Sequence, residues 1–325
     1  MKNQCKWITA AGVLLLFAGI GLSLCVGAKQ LSIQQILHGI FQYQGTLEDQ
    51  LVRDVRLPRI IAGACIGGFL ASVGAMMQGV LRNPVTEPSI MGVTQGAVLA
   101  VAISTVTSSF FGSNFIAALI GASVSGLLVL LFTLQKASHQ HISKILLAGT
   151  SLGMFFISLA SIIALIGNRS NELAFWVAGG LRTIQWHQVA ILVSVGSIFF
   201  VLCMLLTNKI NILAMGDEVA TGLGISSYQT KSKVIVYTIP ICAVCVACAG
   251  NISFLGLFVP HVLRKLKCQD YRVLVPLSFI YGAVVLVFAD ILARLLLAPY
   301  ELPVGVFTAI IGVPIFLWLV RKENR

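Results

Sequence analysis

Eight long stretches of this chain contain no Asp, Glu, Lys or Arg: 7–28, 60–81, 88–135, 145–168, 183–208, 234–263, 273–289 and 302–320. A helix needs about 20 predominantly apolar residues to cross the hydrocarbon core of a bilayer. Six of the runs hold one span each. The runs 88–135 and 234–263 are long enough for two, with turns expected at Ser108–Asn114 and near Gly250–Ser253. The count is about ten transmembrane helices. The runs are continuously apolar, whereas the strands of an outer-membrane barrel alternate in polarity. The predicted fold class is therefore all-α, a polytopic membrane protein, organised as one membrane domain over 1–325.

Composition agrees. Only 10% of the residues are charged, against about a quarter in soluble domains. A soluble core of this length could not cover so much apolar surface. The formal net charge of +11 raises the question of nucleic acid, but the distribution answers it. With ten spans and both termini inside, 15 of the 22 Lys and Arg fall on the cytoplasmic side, as the positive-inside rule predicts. No nucleic-acid partner is implied. Lys2, Lys6 and the apolar run ending near Ala28 have the form of a secretory signal. With so many further spans, an uncleaved first helix is the expected reading.

Cys242, Cys245 and Cys248 are spaced as in an iron–sulfur run, yet their segment is apolar throughout and has no fourth ligand. They read as small residues for close helix packing in lipid. Gly63 and Gly67, and Ala118, Ala122 and Gly126, repeat small residues at four-residue spacing. Pro240, Pro260 and Pro314 are candidates for helix kinks, and His261 for helix capping or packing. The chain has no GxxxxGK[ST] phosphate loop, no HExxH and no GxSxG. It is therefore expected to be no enzyme, and a separate ATPase must do any pumping. Ionisable residues are scarce at span centres, which disfavours an ion-coupled secondary transporter. Asp290 and Arg294, four apart on one helix, are the nearest case.

Three loops exceed simple connectors: Lys29 to Arg59 and Asn168 to Gln188 outside, and Asn208 to Lys233 inside. The last reads as two short helices, Ala214–Gly222 and Ile225–Lys233. Phe175 and Trp176 suit a membrane interface or a re-entrant turn.

Several ordered stretches together resemble one family: Arg56-Leu-Pro-Arg59, Gln78-Gly-Val-Leu-Arg-Asn-Pro84, Met91-Gly-Val-Thr-Gln-Gly96 and Met215-Gly-Asp-Glu-Val-Ala-Thr-Gly-Leu-Gly224. Phe254 to His261, Ala289 to Arg294, Glu301 to Gly305 and Gly312 to Trp318 complete the set. The chain looks like the FecCD-type permeases of bacterial importers for iron-siderophores, haem and vitamin B12. The resemblance covers nearly the whole chain. It implies a vitamin B12-importer-permease-like fold in the bacterial cytoplasmic membrane. It also implies a second permease subunit, identical or paralogous, two ATP-binding-cassette ATPase subunits and an extracytoplasmic substrate-binding protein. ATP would be bound by the partner, and no cofactor or metal by this chain.

Residue roles follow from the same resemblance. Arg56, Arg59 and Arg294 match the family's docking arginines for the binding protein, and guanidinium forks suit acidic partners. Anchoring a helix end at the interface is the alternative for Arg56 and Arg59. Met215, Gly216, Asp217, Glu218, Val219, Ala220, Leu223 and Gly224 match the ATPase-coupling element. Its surface contacts are expected from Met215, Val219, Ala220 and Leu223, with the acids also serving the helix N-terminus. Asn83 and Val85 fall in the gate region, where Asn83 could equally cap a helix. Asn251 stands where the family commonly has proline. The expected cargo is an iron(III)-siderophore, with haem or cobalamin as alternatives.

Overall fold

The computed structural model describes residues 2–27, 29–107, 112–134, 141–297 and 300–323. Among the described residues the regular structure is all helical, without strands. Helix α1 (Lys2–Cys25) is followed by the short α2 (Ile33–Phe41) and α3 (Leu47–Gln50). A π-helical turn over Leu51–Arg56 then runs into α4 (Leu57–Leu81). A 3-10 turn at Pro88–Met91 leads to α5 (Val93–Thr107), α6 (Asn114–Leu134) and α7 (His141–Ile166). Next come α8 (Ser170–Ala178), α9 (Trp186–Met204), α10 (Thr207–Ala214) and α11 (Asp217–Gly222). The chain closes with α12 (Ser227–Ala249), α13 (Leu255–Lys265), α14 (Tyr271–Leu295) and α15 (Val304–Glu323).

Seven helical runs are long and apolar enough to cross a membrane: α1, the run Leu47–Leu81, α6, α7, α9, α12 and α14. Among the described residues the shorter apolar α5 and α15 raise the number to nine; the tenth span expected from the charge-free runs corresponds to α13, which has 11 residues. Both long runs divide as expected, between α5 and α6 and between α12 and α13. Residues 108–111 of the first turn lie outside the described residues.

Helix α4 is the centre, packed by α14, α12, α13, α9 and α10. Pro58, which has no N–H to donate to the helix ladder, stands where the π-helical turn gives way to α4. Helices α5, α6 and α7 form a neighbouring group joined through α12, while α1 and α15 pack on α14. Lipid offers no hydrophobic drive between helices, so close backbone approach decides the packing. Gly67 and Gly282 show it: a Cβ on Gly67 would stand 2.3 Å from the Gly282 carbonyl oxygen, and one on Gly282 would stand 2.2 Å from that of Gly67. The Gly63/Gly67 pair therefore serves the α4–α14 crossing through Gly67, while Gly63 meets Leu181. Ala118 and Ala122 are fully buried on α6, and Gly126 abuts Ile239. Cys242, Cys245 and Cys248 lie buried in the core, and His261 is buried in α13.

Two loops differ from expectation. Lys29 to Arg59 is largely helical. Ser32 with Gln35, and Thr46 with Asp49, form capping boxes that start α2 and α3, since each side chain satisfies a first-turn N–H that the helix leaves open. Asp49 is buried, taking N–H groups of Gln44 (3.0 Å) and Thr46 (3.3 Å) and facing His38 Nδ1 at 2.9 Å. In Asn208 to Lys233, the segment expected as a separate second helix is the beginning of the long α12, capped by Ser226. The first part divides into α10 and α11 at Gly216, whose φ of 137° an L side chain rarely adopts.

Candidate functional site

Two charged clusters occupy the ends of α4, which spans about 37 Å at 1.5 Å per residue. At its first end, the π-turn and α4 place Arg56 and Arg59 beside α14 and the start of α15. Arg59 Nη2 lies 2.8 Å from Asp290 Oδ1, and its Nε donates to the same carboxylate at 3.0 Å. Arg59 Nη1 donates to both carboxylate oxygens of Glu301 at 3.0 Å. Arg294, one turn beyond Asp290, reaches Asp290 Oδ2 at 3.1 Å. Its Nη1 also donates to the carbonyls of Val26 (3.2 Å) and Ser23 (3.3 Å) after α1 and near its end, and Nη2 bonds the Ser23 hydroxyl. Arg56 donates to the carbonyls of Leu24 and Lys29.

The three arginines expected to dock a partner are thus brought together, but all three are buried and engaged within the chain. A buried guanidinium must be paired, because desolvation would otherwise penalise it heavily. Glu301 is the partly exposed member, with 27% of its side chain accessible. It also borders a cavity of about 600 Å³ that Arg59, Glu172, Phe175, Trp176 and Arg182 help to line. The aromatic segment expected at an interface therefore walls this cavity. The turn at Asn251 lies behind it: the Asn251 carbonyl oxygen would stand 2.3 Å from a Cβ on Gly179 and 2.7 Å from one on Gly305.

At the far end of α4, Arg82 adopts a left-handed conformation (φ 48°) that stops the helix. Its guanidinium pairs with Asp217, the first residue of α11, and Lys231 of α12 lies 2.9 Å from the same carboxylate. Burial works against ionising Asp217. Hydrogen bonds from Lys231 and Ser227 and the charges of Lys231 and Arg82 outweigh it and hold the carboxyl below its ordinary range. Asp217 makes no side-chain cap; it is an ion-pair hub. Met215, Val219 and Leu223, spaced by four, are exposed on one face. Ala220 is turned the other way and fully buried, seating α11 against the core. Glu218 is exposed, and Gly224 (φ 75°) forms the turn before α12.

Between Arg82 and α5 runs the segment holding Asn83 and Val85. Asn83 accepts the Val85 N–H through its side chain at 3.0 Å and the Thr86 N–H through its carbonyl at 3.2 Å, so it shapes a turn. Val85 is exposed. Gln78 Nε2 donates to the carbonyls of Gly256 (2.9 Å), Leu257 (3.2 Å) and Thr86 (3.4 Å), while its Oε1 accepts from Arg264 at 2.6 Å. Glu87 accepts the N–H of Phe254 at the head of α13. Burial pushes the Glu87 carboxyl up to about 7.

Sequence reasoning missed Glu87 and the roles of Glu301, Gln78 and Arg82, the last counted only toward charge bias. A signal existed: Arg82 and Glu87 are the only charges separating two long apolar runs. Among the described residues, no group of three or more His, Cys, Asp or Glu could hold a metal ion.

Comparison with known proteins supplies the family. The iron(3+)-hydroxamate import permease FhuB of Bacillus subtilis is 38% identical over 98% of this chain and 84% of its own length. The Fe(3+)-citrate import permease YfmD of the same organism is 35% identical over 96% and 94%. The vitamin B12 import permease BtuC of Citrobacter koseri is 32% identical over 100% and 96%. A solved inward-facing structure, assigned to the metal-chelate type of ABC transporter, superposes with a TM-score of 0.85 at 27% identity, covering 98% of this chain and 99% of that one. Residues 14–322 match the FecCD transport family, and with full-length relatives above 30% identity this chain belongs to that family.

Proposed function

We propose that this chain is the transmembrane permease subunit of an ATP-binding-cassette importer that carries an iron(III)-siderophore complex across the bacterial cytoplasmic membrane. The family match over residues 14–322 carries the reading. Two of the relatives, at 38% and 35% identity, are named for iron(III) chelates, against 32% for the vitamin B12 permease.

The two ends of α4 fit the two tasks of such a subunit. The Arg59 end, with its cavity, faces outward and receives an acidic surface of a substrate-binding protein; Arg56, Arg59 and Arg294 are its docking residues, buried and paired in the chain alone and reached through the partly exposed Glu301–Arg59 pair. The Arg82 end faces the cytoplasm with both termini, and the exposed face of α11 meets an ATPase subunit. The segment around Asn83 and Val85 lies on the gate side. A second permease subunit completes the pathway, and ATP is hydrolysed by the partner.

The test is uptake of iron-labelled siderophores, haem and cobalamin into vesicles holding this chain, its ATPase and its binding protein. ATP-dependent uptake of an iron(III)-siderophore is the expected result. ATP-dependent uptake of haem or cobalamin alone would correct the cargo. Uptake that follows an ion gradient without ATP would overturn the reading.

A further inference from the structure

We infer that Arg82 is a positioning residue that ties α11 to the segment 83–92, so that a displacement of α11 by the ATPase reaches that segment through the Arg82–Asp217 pair. The inference rests on the reading of α11 as the coupling element, and goes beyond it by naming the connection.

The geometry gives Arg82 two attachments. Its backbone ends α4 in a left-handed conformation, which a residue with a side chain keeps only where its surroundings hold it. Its guanidinium pairs with Asp217. Asp217 is in turn fixed to α12 by Lys231 at 2.9 Å, and Gly216 just before it frees the backbone to turn. The α11 carboxylate therefore sits between cations from two different elements. Pairs this exposed add little to stability, so the arrangement is better explained by what it connects.

The segment beyond Arg82 is able to pass a movement on. Asn83 stiffens it through the bonds to Val85 and Thr86. Gln78 holds Thr86 while bridging to the Gly256 and Leu257 carbonyls of α13. Glu87 then grips the N–H of Phe254. One end of the segment is fastened to α11 and the other to the head of α13. Between them Val85 presents an exposed side chain, where a probe can be placed.

The test uses the assembled importer in vesicles, with ATPase and binding protein present. We compare wild type, Arg82→Gln, Arg82→Lys, Asp217→Asn and the double Arg82→Gln/Asp217→Asn. Three quantities are read: ATPase co-purification, ATP hydrolysis, and cargo taken up per ATP. Arg82→Gln is expected to keep the ATPase bound but to lower uptake per ATP about fivefold or more, the scale of a modest coupling energy. Arg82→Lys should recover most of it. The double variant should lose less than the two single losses combined, since the Arg82–Asp217 pair is removed only once while Asp217→Asn also loosens Lys231. Wild-type uptake per ATP in Arg82→Gln, or additive losses in the double variant, would overturn the inference.

Leu223→Asp, measured alongside, separates the two levels. If it leaves the ATPase bound and normally stimulated, the coupling reading of α11 fails. If it uncouples while Arg82→Gln does not, only the role of Arg82 fails. A spin label at Val85→Cys, with Cys5, Cys25 and Cys65 replaced by Ser, gives a reading that does not depend on the folding of an Arg82 variant. Its spectrum should change when the bound ATPase is loaded with ATP, and an unchanged spectrum would count against Arg82 as the tie.

Discussion

Arg59 on α4 and Asp290 on α14 meet at 2.8 Å with 6% and 3% of their side chains exposed. Asp290 serves Arg294 as well, at 3.1 Å. Removing its charge leaves two guanidiniums short of a carboxylate in a buried setting. Asp290→Asn is therefore expected to destabilise the protein by about 3–5 kcal/mol, the usual cost of breaking a buried pair. Thermal unfolding in detergent measures it, and a midpoint equal to wild type would show that the network is not structural.

Glu301 answers a different question, because it holds the opposite side of Arg59 and is partly exposed. Glu301→Gln keeps Arg59 paired with Asp290 and releases its Nη1 from a competing charge. The expected outcome is a modest stability loss together with severalfold tighter association with an acidic binding protein. Titration of labelled binding protein onto the reconstituted permease gives the affinity. An unmoved affinity would leave Arg59 a purely structural residue. Arg59→Glu is a poor test by comparison, since it sets a third acid against Asp290 and Glu301.

The two faces of α11 should respond oppositely. Leu223 is 63% exposed and Ala220 fully buried. Leu223→Asp should fold with an unchanged unfolding midpoint and lose ATPase association. Ala220→Asp should unfold or misinsert, because it buries a charge without a partner. Co-purification and thermal unfolding, run on both variants, distinguish the cases. Similar phenotypes from the two would contradict the orientation of the helix.

Glu87 gives the stability of the folded protein a pH dependence of calculable sign. Its folded-state value of about 7 stands above the ordinary 4.5 because burial penalises the carboxylate. The folded state therefore holds the proton more tightly than the unfolded chain. The resulting stability is fully present below about pH 4.5 and is lost as pH rises through about 7. Cys242 is the one other titratable side chain lining the small pocket beside it. Glu87→Gln, which fixes the neutral form, should flatten the change in unfolding midpoint across that window. An unaltered profile would assign the dependence elsewhere.

Gly67→Ala should cost about 1–3 kcal/mol by overpacking, since its Cβ would overlap the Gly282 carbonyl at 2.3 Å. Gly21→Ala, with open space around its Cβ position, is the matched control. Equal unfolding midpoints for both would remove the α4–α14 crossing as a determinant.

The charge-free runs made the helices legible, because lipid demands apolar length and leaves turns at the few polar breaks. The divisions at 108–114 and 250–253 were readable for that reason. The capping boxes at Ser32 and Thr46 were also in the sequence, but their polar surroundings disguised two helices as a loop. The exposed face of α11 was legible from Met215, Val219 and Leu223. Ala220 was not, because one position of helical rotation separates surface from core and the neighbours of α11 are distant in sequence. The largest gap concerned the arginines. A guanidinium near an outer helix end looks available until the carboxylate opposite is known. Asp290 and Glu301 come more than 200 positions after Arg59, a separation that no local pattern spans.

The burial of α4 has a consequence for watching this protein at work. Its apolar run is 83% buried, whereas α1, α7 and α9 bury only 17%, 22% and 22% of theirs. A helix packed backbone to backbone against its neighbour at Gly67 and Gly282 resists sliding or rolling at that crossing. The middle of α4 is therefore expected to move least in a transport cycle, with rearrangement at its ends and in the less buried helices. Distances measured by spectroscopy from a probe beside the Gly67–Gly282 crossing supply a reference point from which the excursions of the helix ends and of the outer helices can be plotted.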